Sequence, residues 1–335
     1  MKGLANFLDS LTGGVDLTFF SMAFGGLLWG LFILKPWVSS PHNNEVLVKR
    51  CIRLIYIGSY ALIITQLCKI VLKLWLMTAT LGRWPLADLV HTLQFQASCF
   101  GIIFALLLTL YVNSALKHHI YSKRHWIQAS LLALLLACSG AWLVHGASRL
   151  ENSEILMFLT VLHQVAAATW IGGIFQLLLL WKLTRQSICN SELWPILLWR
   201  FSTPGIIAVI TLVASGLIIS LHYVDSLNGL IGTEYGNLLL VKILMLAVAL
   251  SFATANRKAV QHYFLDNNRH SLTYQVPHYL EAETLVLITI LFTAASLASQ
   301  PPAIDIPFLT ADWKEVLNTF TPRIPRTTSP THEAL

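Results

Sequence analysis

Four histidines stand where apolar stretches of the chain meet one side of a membrane: His91, His145, His163 and His222. Imidazole is a good ligand for copper, zinc or haem iron, and a ring held inside an apolar run needs a partner there. His163 is such a ring, roughly five to eight residues inside its segment and hence about 7–12 Å deep at 1.5 Å per residue. His145 closes the preceding segment, and the short connection makes the two helices antiparallel neighbours. Their difference in depth places the two rings as successive stations on a path rather than as ligands of one ion. His91 opens the third segment and His222 closes the sixth, both at the same outer interface, where an imidazole is also comfortable without a ligand. Of the twelve histidines, His42, His118, His119, His125, His262, His270 and His278 fall instead in basic segments on the opposite side, as solvated loop residues.

Gln66, Lys69 and Lys73 recur at helical spacing in the second segment, and Lys242 lies in the seventh. Positive charge beside a cation path raises the barrier to entry, so these side chains either face away from it or hold an anionic group such as a haem propionate or lipid phosphate. Between about Leu54 and Ala298 the carboxylates Asp88, Glu151, Glu154, Glu192, Asp225, Glu234, Asp266, Glu281 and Glu283 fall at segment ends or in loops. No acidic relay is expected to cross the bilayer, which weakens a carboxylate-driven pump. Cys51, Cys68, Cys99, Cys138 and Cys189 form no C-x-x-C pair and read as small apolar fillers.

The elements that position these groups follow from composition. Apolar residues make up 56% of the 335 and charged residues 11%, in runs of the length that about 30 Å of hydrocarbon demands of a helix. Candidate spans run Val15–Val38, Cys51–Met77, Thr92–Leu116, Trp126–His145, Ile155–Trp181, Phe201–Leu221, Asn237–Asn256 and Glu283–Ala298. Continuous apolar runs without period-two alternation exclude a β-barrel and predict an all-α polytopic membrane bundle of about eight transmembrane helices. Basic residues concentrate in alternate loops, from Lys49 and Arg50 to Arg257 and Lys258. By the positive-inside rule those loops are cytoplasmic and both termini periplasmic. The net charge of +6 therefore reports orientation in the lipid bilayer, and no nucleic-acid partner is expected.

Residues 1–300 read as one membrane domain. Met1 to Asp9 does not resemble a removed secretory signal. Residues 301–335 read as a periplasmic tail, with a short amphipathic helix from Asp312 to Phe320 and disorder after it. Gly172, Gly173, Gly205, Gly216 and Ala166 to Ala168 mark surfaces for close helix approach, and Pro204 is expected to loosen the first turn of the sixth span. No nucleophile and base occur in a recognised motif on an extramembrane domain, so no enzyme is expected.

From about residue 143 to 302 the chain resembles the bacterial copper resistance protein D family. The resemblance rests on Val144-His145-Gly146-Ala147, Leu162-His163-Gln164 through Trp170-Ile171-Gly172-Gly173, Arg200-Phe201-Ser202, Tyr235-Gly236-Asn237 through Lys242, Asn256-Arg257, and Glu283 ahead of Pro301-Pro302. It implies a bacterial inner-membrane copper permease of eight spans, in which His145 and His163 handle a copper ion; the placement of His91 and His222 at the same interface adds them as candidate metal donors. A small periplasmic copper-binding protein is the implied partner, and Lys242, Arg257 and Glu283 are implied to be structural or interfacial. The residues alone leave open a b-type haem protein with two axial histidines, or a membrane anchor that docks a periplasmic partner on its tail and outer loops.

Overall fold

The computed structural model describes residues 2–35, 45–120, 122–141, 153–186, 193–266 and 271–306. Helices α1 (Lys2–Leu28), α2 (Glu45–Leu81), α3 (Leu86–Val90), α4 (Leu93–His118), α5 (Lys123–Ala141), α6 (Ser153–Arg185), α7 (Leu193–Tyr223), α8 (Leu227–Gly232), α9 (Glu234–Asp266) and α10 (Val276–Ala298) account for nearly all of them. No strand occurs among the described residues. Helix dominates because a bilayer leaves no water to satisfy backbone amides, so each span must bond within itself.

Local sequence sets the helix ends. The Thr92 hydroxyl accepts from the Phe95 amide to start α4, and the Ser226 hydroxyl caps α8 through Gly229. His119 takes a left-handed conformation (φ 52°) where α4 stops. A π-helical turn, Trp29–Leu34, extends α1 and ends at Lys35 (φ 45°). The Arg200 guanidinium donates to the Ile33 carbonyl in that turn, joining the start of α7 to the end of α1.

Seven helices among the described residues are long and apolar enough to cross a membrane. The expected fourth span, Trp126–His145, is α5, described only to Ala141; the polar Lys123, Arg124 and His125 of its first turn dilute what remains. Every other expected span is present but longer than the apolar run that announced it, since polar ends continue the helix beyond the hydrocarbon. Three local expectations change as a result. Pro204 lies well inside α7 rather than in its first turn, and the helix continues through it. Glu283 lies inside α10, 2% exposed, not at a span boundary. His91 lies in the turn between α3 and α4 rather than at the head of a span. The tail helix expected at Asp312–Phe320 falls outside the described residues.

The bundle is built around α1, whose apolar window is 67% buried, against 17% for α7 and 11% for α9. α1 packs on α2, α6 and α10, while α4 and α5 close the α2 side and α7 the α6 side. The start of α1 meets the end of α10, where Ser10 and Ser299 pair at 3.4 Å, so both ends of the described chain share one face of the bundle. Exposed basic residues, among them Lys49, Lys117, Arg124, Lys182 and Arg257, gather at the opposite end.

α1 and α6 run parallel and touch backbone to backbone. A methyl on Gly25 would overlap the Ala168 carbonyl oxygen and lie 2.7 Å from the Gly172 Cα, and one on Gly172 would overlap the Ser21 carbonyl oxygen. Lipid tails give helices no hydrophobic reason to associate, so contact this close depends on the absence of side chains. Replacing Gly172 with valine is expected to abolish the monodisperse, cooperatively melting species in detergent. Gly101→Ala, whose methyl would meet Ser139 Oγ at 3.5 Å, is expected to shift stability by less than about 1 kcal/mol.

Candidate functional site

His163 projects from α6 onto α7. Its Nδ1 lies 3.1 Å from Ser215 Oγ, whose own hydroxyl hydrogen is committed to the Thr211 carbonyl at 2.6 Å. With the Ser215 hydroxyl on the Thr211 carbonyl, Nδ1 fits as the donor of this pair, and that tautomer places the ring's lone pair on Nε2. This is how ligating histidines are usually held, with the second nitrogen bonded to an outer group. Gly216 makes room for the ring, since a methyl there would approach His163 Cε1 to 3.0 Å. Counting from Ser153, the ring is about 15 Å along the helix, of which the first residues precede the apolar run.

His222 sits two turns beyond Ser215 on the same face of α7, about 10 Å nearer the helix end. Its Nδ1 donates to the Ile218 carbonyl at 2.9 Å, again freeing Nε2. His163, from α6, and His222, on α7, thus lie along the α7 face that carries Ser215. His91 is exposed and belongs to the α3–α4 corner, whereas α7 packs on α6 and α9, so the structure does not bring it to the other two. His145 lies outside the described residues. Among the described residues no group of three or more His, Cys, Asp or Glu side chains gathers into a metal-binding cluster.

Lys242 of α9 lies close enough for its charge to act on the His163 ring. Deeper in the bundle, the Trp170 indole N–H donates to Glu283 Oε1 at 2.9 Å and the Asn256 amide donates to Oε2 at 2.8 Å. This carboxylate joins α6, α9 and α10, and it is the buried acidic group that the span-by-span reading assigned to a boundary. Asn256 Oδ1 remains buried without a partner.

A second polar cluster joins α1 to α2. Asp16, 8% exposed, accepts from the Thr65 hydroxyl at 2.6 Å, from the Gln66 amide at 3.1 and 3.0 Å, and from Lys69 Nζ at 2.6 Å. Sequence reasoning identified the α2 half of this cluster and missed Asp16, the counter-charge that explains it. The available signal was an aspartate one residue into the first apolar run, opposite three polar residues at helical spacing. Lys69 does not hold an external anion here; its partner is internal.

Residues 196–297, spanning most of α7 through nearly all of α10, match the family described as copper resistance protein D, as the sequence resemblance implied. A curated relative, the copper transport protein CutJ of Bacillus subtilis (strain 168), is 27% identical over 209 residues. The alignment covers 62% of this chain and 37% of that protein, so the chain spans little more than a third of the relative's length. No solved structure matches the chain. The matched region holds Ser215, His222, Lys242, Asn256 and Glu283, while His163 and Trp170 approach it from α6.

Trp170→Phe leaves the Glu283 carboxylate with a single amide donor and is expected to cost about 1–3 kcal/mol, read as a lower melting temperature in detergent. Glu283→Gln is expected to be milder. Asn256 can turn its amide and present the unpartnered Oδ1 to the new N–H.

Proposed function

We propose that this protein is a copper-handling permease of a bacterial inner membrane, multi-pass and without enzymatic activity, that moves copper between periplasm and cytoplasm. The observation that carries the proposal is the His163–Ser215 pair. A half-buried imidazole whose Nδ1 donates to a neighbouring helix presents Nε2 as a ready donor to a borderline or soft cation. The family match over α7–α10 and the name of the Bacillus relative supply the metal. Orientation by the positive-inside rule puts His222 at the periplasmic mouth, with His163 two turns below it. A copper ion entering there would pass from one Nε2 to the next, with His145 and His91 as further candidate donors at the same side.

Each station offers few ligands. That suits transit, because a site that binds through four strong donors would release its ion slowly. A small periplasmic copper-binding protein is the natural donor to such a mouth, and docking would bring it over the α7–α8 corner.

The test is copper accumulation in cells, paired with metal analysis of the purified protein. His163→Ala is expected to reduce accumulation at least tenfold without loss of folded protein, and Ser215→Ala to weaken copper retention about 10–100-fold by freeing the ring to rotate. Unchanged accumulation in His163→Ala would remove the mechanism. A Soret band from the purified protein would replace copper with haem b as the ligand of these histidines.

A further inference from the structure

The α1–α6 crossing fixes a common depth. Asp16 lies nine residues from Gly25 and His163 nine residues from Gly172, both toward the end where α1 begins and α10 finishes. Since the two helices run parallel and touch at those glycines, the carboxylate and the imidazole stand at one level, about 13 Å from the crossing. An ionisable residue at such depth is costly unless it is paired, and a buried pair of this kind is weak evidence for stability and a candidate for function.

The Asp16 cluster is built as a site rather than as a plain clamp. Gln66 is 7% exposed and turns its N–H toward both carboxylate oxygens, yet its Oε1 is buried with no partner. Beside it, Gly101 of α4 leaves a methyl-sized space that lies 3.9 Å from Gln66 Cδ and 3.5 Å from Ser139 Oγ of α5. Next along α5, Gly140 leaves a similar space 3.8 Å from Gln164 Oε1, on the residue following His163. Polar groups therefore border two small gaps between the Asp16 pair and α6, at the level of the proposed copper station.

We infer that Asp16, with Thr65 and the free Gln66 carbonyl, is a binding site for a hard monovalent cation, a proton or a sodium ion, in which the Lys69 ammonium is the tethered occupant that the ion displaces. The inference rests on the copper-permease reading and gives it a coupling ion. The donors are all oxygen, which suits hard cations and not copper. Lys69 already demonstrates that the site holds a single positive charge. Binding of a proton converts the carboxylate to a carboxylic acid and binding of sodium replaces the ammonium as counter-ion; in both cases Lys69 is released with its charge. Among the described residues, the other ionisable side chains in this half of the bundle include Asp9 on α1, Lys73 on α2, Glu154 and His163 on α6, His222 on α7, Glu234 and Lys242 on α9, and the thiols of Cys68, Cys99 and Cys138, with Arg83, His91, Asp225 and Asp305 in the connections at its rim. Lys73 interacts with Asp9 and with Lys69, so a released ammonium would have a like charge beside it and be driven back when the ion leaves. α10 carries its charged side chains, Glu281 and Glu283, in its first half, toward the opposite end of the bundle.

The experiment uses the full chain in liposomes that enclose a copper-sensitive dye, with a proton gradient or a sodium gradient imposed in separate arms. Copper entry into wild-type liposomes is expected to accelerate at least fivefold under one of the two gradients, which identifies the ion. Asp16→Asn with Lys69→Gln replaces the ion pair by neutral hydrogen-bonding groups. This double variant is expected to melt within a few degrees of wild type and to admit copper at the gradient-free rate whichever gradient is applied. A double variant that keeps the full gradient response would show the pair to be only a clamp and overturn the inference. So would a wild type indifferent to both gradients whose copper entry His163→Ala still abolishes, in which case the permease reading survives. Wild-type liposomes no faster than protein-free ones would sink the permease reading and the coupling site with it.

Discussion

The close approach of α1 and α6 at Gly25 and Gly172 is the constraint on which the rest of the bundle depends. Two parallel helices separated by side chains can slide by a residue while ridges re-seat, but helices in backbone contact have a register, because a Cβ at either glycine would meet the backbone of the other helix. Every depth relation in the molecule is referred to that point. α2 and α10 are placed by α1, α7 is placed by α6, and the polar clusters inherit their levels from the helices that carry them.

From that register follows a vertical order along α6. His163 and Trp170 are two turns apart on one face, so the imidazole bonded to Ser215 and the indole bonded to Glu283 stand one above the other, about 10 Å apart. The upper group meets α7 and the lower group meets α9 and α10. α6 thus carries one imidazole and one carboxylate contact along a single stripe, with His222 continuing the line on α7. A polar stripe on a helix within a bilayer must be covered, and here the covering helices are the ones in the family-matched region.

Most of the fold was legible in the chain because its driving force is one-dimensional: a run of about twenty apolar residues spans hydrocarbon wherever its neighbours go. The misplaced boundaries share one cause. Hydropathy reports where lipid begins, whereas the helix continues until a cap or a left-handed residue such as His119 ends it, so Glu283 and Pro204 were read as terminal when they are interior. The site was half legible. His163 announced itself as a titratable ring inside an apolar run, and Lys69 did the same; their partners Ser215 and Asp16 are separated from them by 52 and 53 positions, and no local pattern links them. Ser215 in particular is indistinguishable in sequence from the many serines here that simply bond back to their own helix.

The pairing of Asp16 with Lys69 also shows how an ammonium group is accommodated within the bundle, and on the proposed copper path it has a consequence for charge. A bare carboxylate at this depth would draw any cation from the mouth and hold it, and a bare lysine would repel the same cation. Together they present little net charge to an ion at His163. An ion that took the place of Lys69 at Asp16 would shift that balance, since it would leave an extra positive charge at the level of the imidazole. Occupancy of the oxygen site would then weaken the hold of the nitrogen site on its own cation. By reciprocity, a copper ion at His163 would weaken the oxygen site by the same factor. Two stations at one depth, one hard and one soft, would in this way favour alternate filling without any large movement of the helices that carry them.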